Sequence, residues 1–149
     1  MKLIAIDPGK SGGIAWHVHG RTWCQAMPET DGETLALLRL LQAAGHDLIV
    51  MEKINGFISA AGAGQMFHFG EGYGKLQMIA LCLGFRLELV TPQAWQKSLS
   101  CGKKKDHGKD WKTHLLKMAQ RLYPHLKITK KTADALLILD YARKNQLAQ

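Results

Sequence analysis

Short apolar runs of strand length occur five times along the chain, separated by turns or by helical patterns. They are KLIAID, GIAWHVH, RTWCQAM, DLIVMEK and RLELVTP. Only the turn PGKSG and a hairpin about Gly20 separate the first three runs, so these predict three successive antiparallel strands. A whole helical pattern precedes DLIVMEK, which predicts a right-handed crossover and a fourth strand parallel to an earlier one.

Helical patterns fill the remaining intervals. Thr30 and Glu33 have the spacing of a capping box before TLALLRLLQAAG, a further apolar helical stretch runs through KLQMIALCLG, and Thr91-Pro92 can begin the helix PQAWQKSL. The last two predicted helices, KDWKTHLLKMAQRLYP and KKTADALLILDYARK, have apolar faces made of Trp111, Leu115, Met118, Ala119 and Leu122 in the first and of Ala135, Ile138, Leu139 and Ala142 in the second. No linker or repeat intervenes, so residues 1–149 are predicted to form a single α/β domain.

Two of the predicted strands end in an acidic residue. The first ends at Asp7 and the fourth at Glu52, each on the same side of its strand as the preceding apolar residues. A strand-terminal Asp can simply cap a turn. If the two strands are parallel neighbours, however, both acids emerge at the carboxyl edge of the sheet, where ligands gather in open α/β folds. Asp134, near the start of the apolar last helix, can be held over the same edge.

Converging carboxylates predict a particular chemistry. They repel one another unless they share a cation or a proton, and oxygen ligands without sulfur or nitrogen suit Mg²⁺ or Mn²⁺ rather than zinc. Two such ions about 4 Å apart can activate water and stabilise the leaving oxygen in phosphodiester cleavage. The acidic residues therefore make a metal-dependent hydrolase a reasonable hypothesis.

The composition is that of an ordinary globular domain, with 46% hydrophobic residues. No apolar run approaches the roughly 20 residues that cross a bilayer, and the first residues resemble a strand rather than a secretion signal. Cys24, Cys82 and Cys101 are widely spaced and form no zinc-type motif, so we expect reduced thiols. These features predict a soluble, cytoplasmic protein with no membrane partner.

Positive charge is concentrated in the last third of the chain. Residues 1–100 carry eight Lys and Arg against eight Asp and Glu, whereas residues 101–149 carry twelve against four. The net charge of +8 therefore lies entirely beyond residue 100. A solvated, lysine-rich helical face is one explanation, and a surface that binds nucleic-acid phosphates is the other.

Four segments occur in the order found in a known family. They are AIDPGKSGGIA, VMEK, FGEGYGKLQMIALCLG leading to VTPQAWQK, and TADALLILDYAR, which together span residues 3–143. In this combination the chain resembles the RuvC-type Holliday junction resolvases of the ribonuclease H-like superfamily, especially their short phage and bacterial members. The Asp-x-Gly motif alone also opens the phosphate-binding hairpin of sugar kinases and actin-like ATPases, but those proteins need two such domains.

The resemblance implies a five-stranded mixed sheet flanked by helices, in a homodimer that makes paired nicks in four-way DNA junctions in the cytoplasm of a bacterial cell or phage-infected host. It implies that Asp7, Glu52 and Asp134 are catalytic acids that hold two Mg²⁺ or Mn²⁺ ions. Lys97 and either Lys109 or Lys112 resemble active-site lysines of the family. With the basic run that the charge pattern indicates, the predicted DNA-binding residues are Lys97, Lys103, Lys104, Lys105, Lys109, Lys112 and Lys131.

Lys131 marks a departure from the family, which usually has an acid or a histidine three residues before the final Asp. If Lys131 and Asp134 are both helical, they lie on neighbouring turns of one face. One hypothesis is that Lys131 weakens a second metal site and contacts a DNA phosphate. The other is that Glu71 or Asp140 supplies the missing ligand, although Asp140 lies about 240° around the helix from Asp134. The spacing favours the first hypothesis.

Other residues have simpler interpretations. Solvent exposure is favoured for Glu71, and core packing is favoured over insertion into DNA or a partner for the aromatic residues Phe67, Phe69 and Tyr73. His107 and His114 are candidate phosphate contacts. The sequence as a whole predicts a structure-selective endonuclease that resolves Holliday junctions by two-metal-ion hydrolysis. The alternatives are a related nuclease that acts on RNA–DNA hybrids or flapped DNA, and a junction-binding protein that does not cleave.

Overall fold

The sheet has five strands in the order β3-β2-β1-β4-β5 in a computed structural model that describes residues 2–54 and 62–145. The strands are β1 Leu3–Asp7, β2 Gly13–Val18, β3 Arg21–Ala26, β4 Leu48–Glu52 and β5 Arg86–Val90. The first three strands pair antiparallel, and β4 is parallel to both β1 and β5. The predicted topology is therefore confirmed, including the crossover that makes β1 and β4 neighbours. The sequence also predicts a loop of small residues over NGFISAAGAG, residues 55–64, of which residues 55–61 lie outside the described residues.

Six α-helices accompany the sheet in the described part of the chain. They are α1 Asp31–Ala43, α2 Ala63–Cys82, α3 Pro92–Ser98, the single turn α4 Lys104–His107, α5 Trp111–Leu122 and α6 Ala133–Lys144, with a 3₁₀ turn over Gly108–Asp110. The Thr30–Glu33 capping box begins α1, and the Thr91 side chain caps α3 as predicted. Within these residues, no helix is both long and apolar enough to cross a membrane.

The two faces of the sheet bury separate apolar clusters. On one face, α1 and α2 pack through Leu38, Leu41, Leu76 and Ala80. On the other, α6 crosses β1, β2 and β4 and is itself covered by α3 and α5. All side chains from Ala133 to Leu139 are buried, so α6 is enclosed on more sides than its predicted apolar face requires. This burial fixes the start of α6 over the sheet.

Two predictions about the helices are wrong. Leu122 is predicted in the core of α5 but is exposed, because it lies in the last turn of the helix. Lys131 does not belong to the last helix, which begins at Ala133. Thr129 and Thr132 instead hold this segment in a turn, because the Thr129 amide donates to the Thr132 hydroxyl and the Lys131 amide donates to the Thr129 hydroxyl.

Close backbone approach explains why glycine occupies position 13. A Cβ at Gly13 would lie 2.5 Å from the Lys131 carbonyl oxygen and 2.8 Å from that of Gln25. Atoms at such distances would overlap, so any larger residue would push β2 away from the turn before α6. The turn that precedes Asp134 is therefore packed directly against the sheet.

Candidate active site

Three acidic side chains meet where β1 and β4 end. Ile6 is level with Met51 in the parallel pair, so the residues that follow them, Asp7 and Glu52, leave the sheet side by side. Asp134, in the first turn of α6, faces them closely enough that its charge acts on the pKa of both. The structure therefore brings together the three acids that the sequence singled out, each from a different element.

Asp7 is the most strongly perturbed of the three. Burial, reinforced by the neighbouring charges of Asp134 and Glu52, raises the pKa of Asp7 from 3.8 to about 8, although Lys112 opposes the change. Such a shift means that the folded protein does not readily tolerate a third negative charge at this position. In the absence of a bound metal ion, we therefore expect Asp7 to hold a proton at neutral pH.

Glu52 is held by an indole from α3. The Trp95 Nε1–H donates to Glu52 Oε2 over 2.8 Å, and the Trp95 side chain is completely buried. Burial raises the pKa of Glu52, whereas the bond from Trp95 lowers it. Trp95 is a site residue that is not predicted from the sequence, although an indole N–H in a buried position needs an acceptor. That requirement is the one signal in the sequence that could have identified it.

Lys112, on α5, contacts the acids directly. Its ammonium group donates to Asp134 Oδ2, while the other oxygen, Oδ1, is buried and has no hydrogen-bond partner among the described residues. Burial lowers the pKa of Lys112, but attraction to Asp134, Asp7 and Glu52 outweighs this and raises it. Of the two candidate lysines in this region, Lys112 is therefore the one that the structure places beside the acids.

The side-chain oxygens of Asp7, Glu52 and Asp134 are suitable ligands for a hard divalent cation. All are carboxylate oxygens, one of them is buried without a partner in the described part of the chain, and their mutual repulsion favours the binding of positive charge. As the side chains lie, no three His, Cys, Asp or Glu residues within 2–54 and 62–145 form a ready-made metal-binding group. Lys112 already occupies one oxygen of Asp134, so its ammonium competes with a cation for that carboxylate.

The remaining predicted lysines are exposed and lie away from these contacts. Lys97 is in the last turn of α3, Lys103 precedes α4, Lys104 and Lys105 are within it, Lys109 is in the 3₁₀ turn, and Lys131 is in the turn before α6. Because Lys131 is not helical, it does not share a helix face with Asp134. These six exposed lysines are named the basic surface residues, and none of them contacts the acidic cluster in the described part of the chain.

Neither alternative acid joins the cluster. Glu71 is exposed on α2 and pairs with Lys75 at 3.1 Å, as expected for a solvated helix residue. Asp140 pairs with Lys144 at 2.8 Å near the far end of α6. The structure therefore gives no support to the hypothesis that either residue supplies a ligand in place of Lys131.

Aromatic residues of α2 border the acids. A Cβ at Gly9, where φ is +103°, would lie 2.8 Å from the Phe69 ring, so the absence of a side chain lets this ring cover the β1–β2 turn. Burial raises the pKa of Tyr73, and the nearby Glu52 carboxylate adds to the effect. Phe69 and Tyr73 are half-buried, but Phe67 is 70% exposed, so the expectation that it packs in the core is wrong.

Comparisons with solved structures find the same fold in RuvC of Thermus thermophilus. One RuvC structure superposes with a TM-score of 0.57 at 17% identity, over 97% of this chain and 96% of that one. A structure of the same protein in complex with a Holliday junction substrate gives 0.61 at 15% identity, over 98% and 96%. No protein-family model and no curated protein matches the sequence. The chain therefore has the ribonuclease H-like fold of the RuvC structures.

Proposed function

We propose that this protein is a structure-selective endonuclease that cleaves branched DNA, including Holliday junctions, by metal-dependent phosphodiester hydrolysis. The observation that carries the proposal is the meeting of Asp7, Glu52 and Asp134 at one edge of the sheet, where Asp7 and Asp134 are buried and the three carboxylates repel one another. A divalent cation would relieve this repulsion, and the donors are those that Mg²⁺ and Mn²⁺ prefer. The fold shared with a RuvC–junction complex and the basic last third of the chain support DNA as the substrate.

Each residue at the site has a distinct role in this proposal. Asp7, Glu52 and Asp134 would hold the metal, two ions in the fully loaded site. Bound there, Mg²⁺ or Mn²⁺ supplies a Lewis acid and an activated water for phosphodiester hydrolysis. Trp95 fixes the orientation of Glu52, and the ammonium of Lys112, once withdrawn from Asp134, offers positive charge to the scissile phosphate.

A panel of substrates tests the proposal. Labelled four-way junction, flapped DNA, RNA–DNA hybrid and linear duplex are incubated with the protein, with Mg²⁺ or with EDTA. We expect Mg²⁺-dependent nicks near the branch of the four-way junction and little cleavage of linear duplex. Preferred cleavage of the hybrid or the flap would replace the proposed substrate, and junction binding without any cleavage would identify a non-cleaving binding protein.

Replacing Lys112 tests two proposed effects of its ammonium group: it assists cleavage, and it competes with the metal ion for Asp134. We expect Lys112→Met to lower the cleavage rate roughly 100-fold, because the transition state loses a nearby positive charge. The same change removes a group that competes for Asp134, so Mg²⁺ should bind more tightly. Calorimetric titration with Mg²⁺ and single-turnover cleavage measure the two effects. The control is Lys127→Met, at an exposed lysine that is not among the predicted DNA-binding residues. A variant that matches the parent in both measurements would rule out this role for Lys112.

The exposed lysines near α4 are expected to set the salt dependence of DNA binding. Replacing Lys103, Lys104 and Lys105 together by Ala should reduce the slope of log affinity against log salt by about 0.9 for each phosphate of B-form DNA that the protein no longer neutralises. Junction affinity is measured by fluorescence anisotropy from low to moderate salt. An unchanged slope would show that these lysines form a solvated surface that does not touch phosphates.

We also propose that the protein acts as a homodimer through an apolar stripe on α2. The stripe consists of Phe67, Gly70, Gly74, Met78 and Leu81, whose spacings of three and four residues place them on one side of the helix. Phe67, Met78 and Leu81 are 70%, 58% and 56% exposed, and a Cβ at either glycine would meet nothing within 4 Å. A second copy of the same stripe, packed antiparallel about a two-fold axis, would cover these side chains.

A charge in the middle of the α2 stripe should prevent this association. We expect Met78→Glu to convert a dimer into a monomer at micromolar concentration, because burying an unpaired carboxylate is costly. Light scattering after size-exclusion chromatography measures the mass. Leu40→Glu, at a similarly exposed leucine on α1, is the matched control and should remain dimeric. A parent protein that is monomeric at all concentrations would contradict the proposal.

A further inference from the structure

A cavity of about 330 Å³ lies beside α5, apart from the acidic cluster. It is lined by His107, Asp110, Thr113, His114 and Lys117. The last four are spaced at about three and four residues along α5 and its N-cap, so they share one side of the helix. The lysine-rich turn α4 brings His107 to the same place.

Two of the lining side chains are stacked imidazole rings, and the buried Trp111 ring lies beside them. The imidazoles of His107 and His114 have centroids 4.0 Å apart and planes inclined by 18°, and the Trp111 ring lies 5.6 Å from each. The His114 Nε2 atom donates to the Cys101 carbonyl oxygen over 2.7 Å, which fixes that ring in place. The stack is therefore anchored to the fold before any ligand arrives.

The polar groups around the rings can both accept and donate hydrogen bonds. Asp110 occupies the N-cap position of α5, but its side chain makes no capping bond. Neither Asp110 nor Lys117 forms an ion pair with another described residue. The Asp110 carboxylate disfavours a phosphate in the cavity. A flat ring with donors and acceptors on its edge fits this lining better, and a nucleobase has that chemistry.

We propose that this cavity is a subsite for one unstacked nucleobase of the DNA substrate. In this subsite the imidazole pair contacts the base, Asp110 accepts from an N–H group on its edge, and Thr113 and Lys117 donate to its ring acceptors. The proposal deepens the proposed function and rests on it, since DNA must already be bound by the basic surface residues.

The position of the subsite indicates which base it takes. Lys112 and His114 are two residues apart on α5, so they face nearly opposite sides of the helix. The base therefore does not belong to the nucleotide at the scissile phosphate. An α-helix is about 10 Å across, which corresponds to about three base steps of B-form DNA. We expect the captured base to lie about three nucleotides from the cleavage position.

Single abasic sites locate this base. A four-way junction is prepared with one abasic site at each of the nucleotides around the branch, and its affinity is measured with Asp7→Asn protein to prevent cleavage. We expect one abasic position to lower affinity about tenfold. His107→Ala should lower the affinity for the intact junction by the same factor. With this variant, an abasic site at that position should cause no further loss of affinity. His107→Phe keeps a flat ring, so it should restore both the affinity for the intact junction and the loss of affinity at the abasic position. His125→Ala, outside the cavity, is the control and should behave like the parent.

The outcomes separate this proposal from the proposed function. If the junction is bound and cleaved but His107→Ala weakens intact and abasic DNA equally, the histidine contacts the backbone and the subsite is wrong. A short single-stranded oligonucleotide, with and without one abasic site, tests base capture without a junction. If the base-dependent effect of His107 appears there while the parent binds no junction, the subsite stands and the proposed function fails. If it appears on neither DNA, the subsite is wrong.

Discussion

Asp7→Asn is expected to reduce junction cleavage about a thousandfold or more while junction affinity stays within about threefold of the parent. Asparagine has nearly the shape of a protonated aspartate, so the end of β1 and its contacts with the sheet should be preserved. It cannot carry the negative charge that Asp7 would contribute to a bound cation. In the proposed function, junction binding depends on the exposed lysines, which this substitution does not touch.

Single-turnover cleavage with saturating protein measures the loss, and anisotropy in EDTA measures binding. Asp47→Asn is the matched control, because Asp47 immediately precedes the same strand as Glu52 but is exposed at its other end. It should cleave at the parental rate. Asp7→Asn protein that retains Mg²⁺-dependent nicking, in a preparation free of contaminating nuclease, would remove Asp7 from the mechanism.

The arrangement of Asp7 and Glu52 could be predicted because it depends on local rules. The alternation of side chains along a strand places each acid on a known side, and the crossover rule makes β1 and β4 parallel. Asp7 and Glu52 then come directly after Ile6 and Met51, which are paired with each other across the two strands. The sequences of the two strands and of the helical segment before DLIVMEK are therefore enough to predict that Asp7 and Glu52 are neighbours.

Other features of the site depend on packing that no local pattern contains. Lys109 and Lys112 are equally acceptable in sequence, and only the packing of α5 on α6 brings Lys112 to Asp134. The start of α6 was misplaced because two threonine hydroxyls and the close approach to Gly13 hold Lys131 in a turn. Trp95 was missed as a partner of Glu52 because its indole reaches across from α3 on another part of the chain.

The pKa of Asp7 also links the active site to the stability of the fold. In the unfolded chain this carboxyl ionises near 3.8, whereas burial beside Asp134 and Glu52 raises its pKa in the folded protein to about 8. Below the lower value both states are protonated, and Asp7 has no effect on the pH dependence. Between the two values the unfolded state has released the proton and the folded state still holds it. The metal-free protein is therefore expected to lose stability as pH rises from about 4 to about 8.

The same Asp7→Asn substitution should remove this loss, so the inactive variant should be the more stable protein at high pH. The free energy of unfolding in EDTA is measured by urea denaturation from pH 4 to pH 9 for the parent and for Asp7→Asn. We expect the difference between them to grow by up to about 1.4 kcal/mol per pH unit and to level off above the pKa of about 8. Glu52, whose pKa is also raised by burial, remains in both proteins and so cancels in the comparison. Two curves that stay parallel over this range would show that Asp7 is already ionised at neutral pH, and the cation would then have no buried proton to displace.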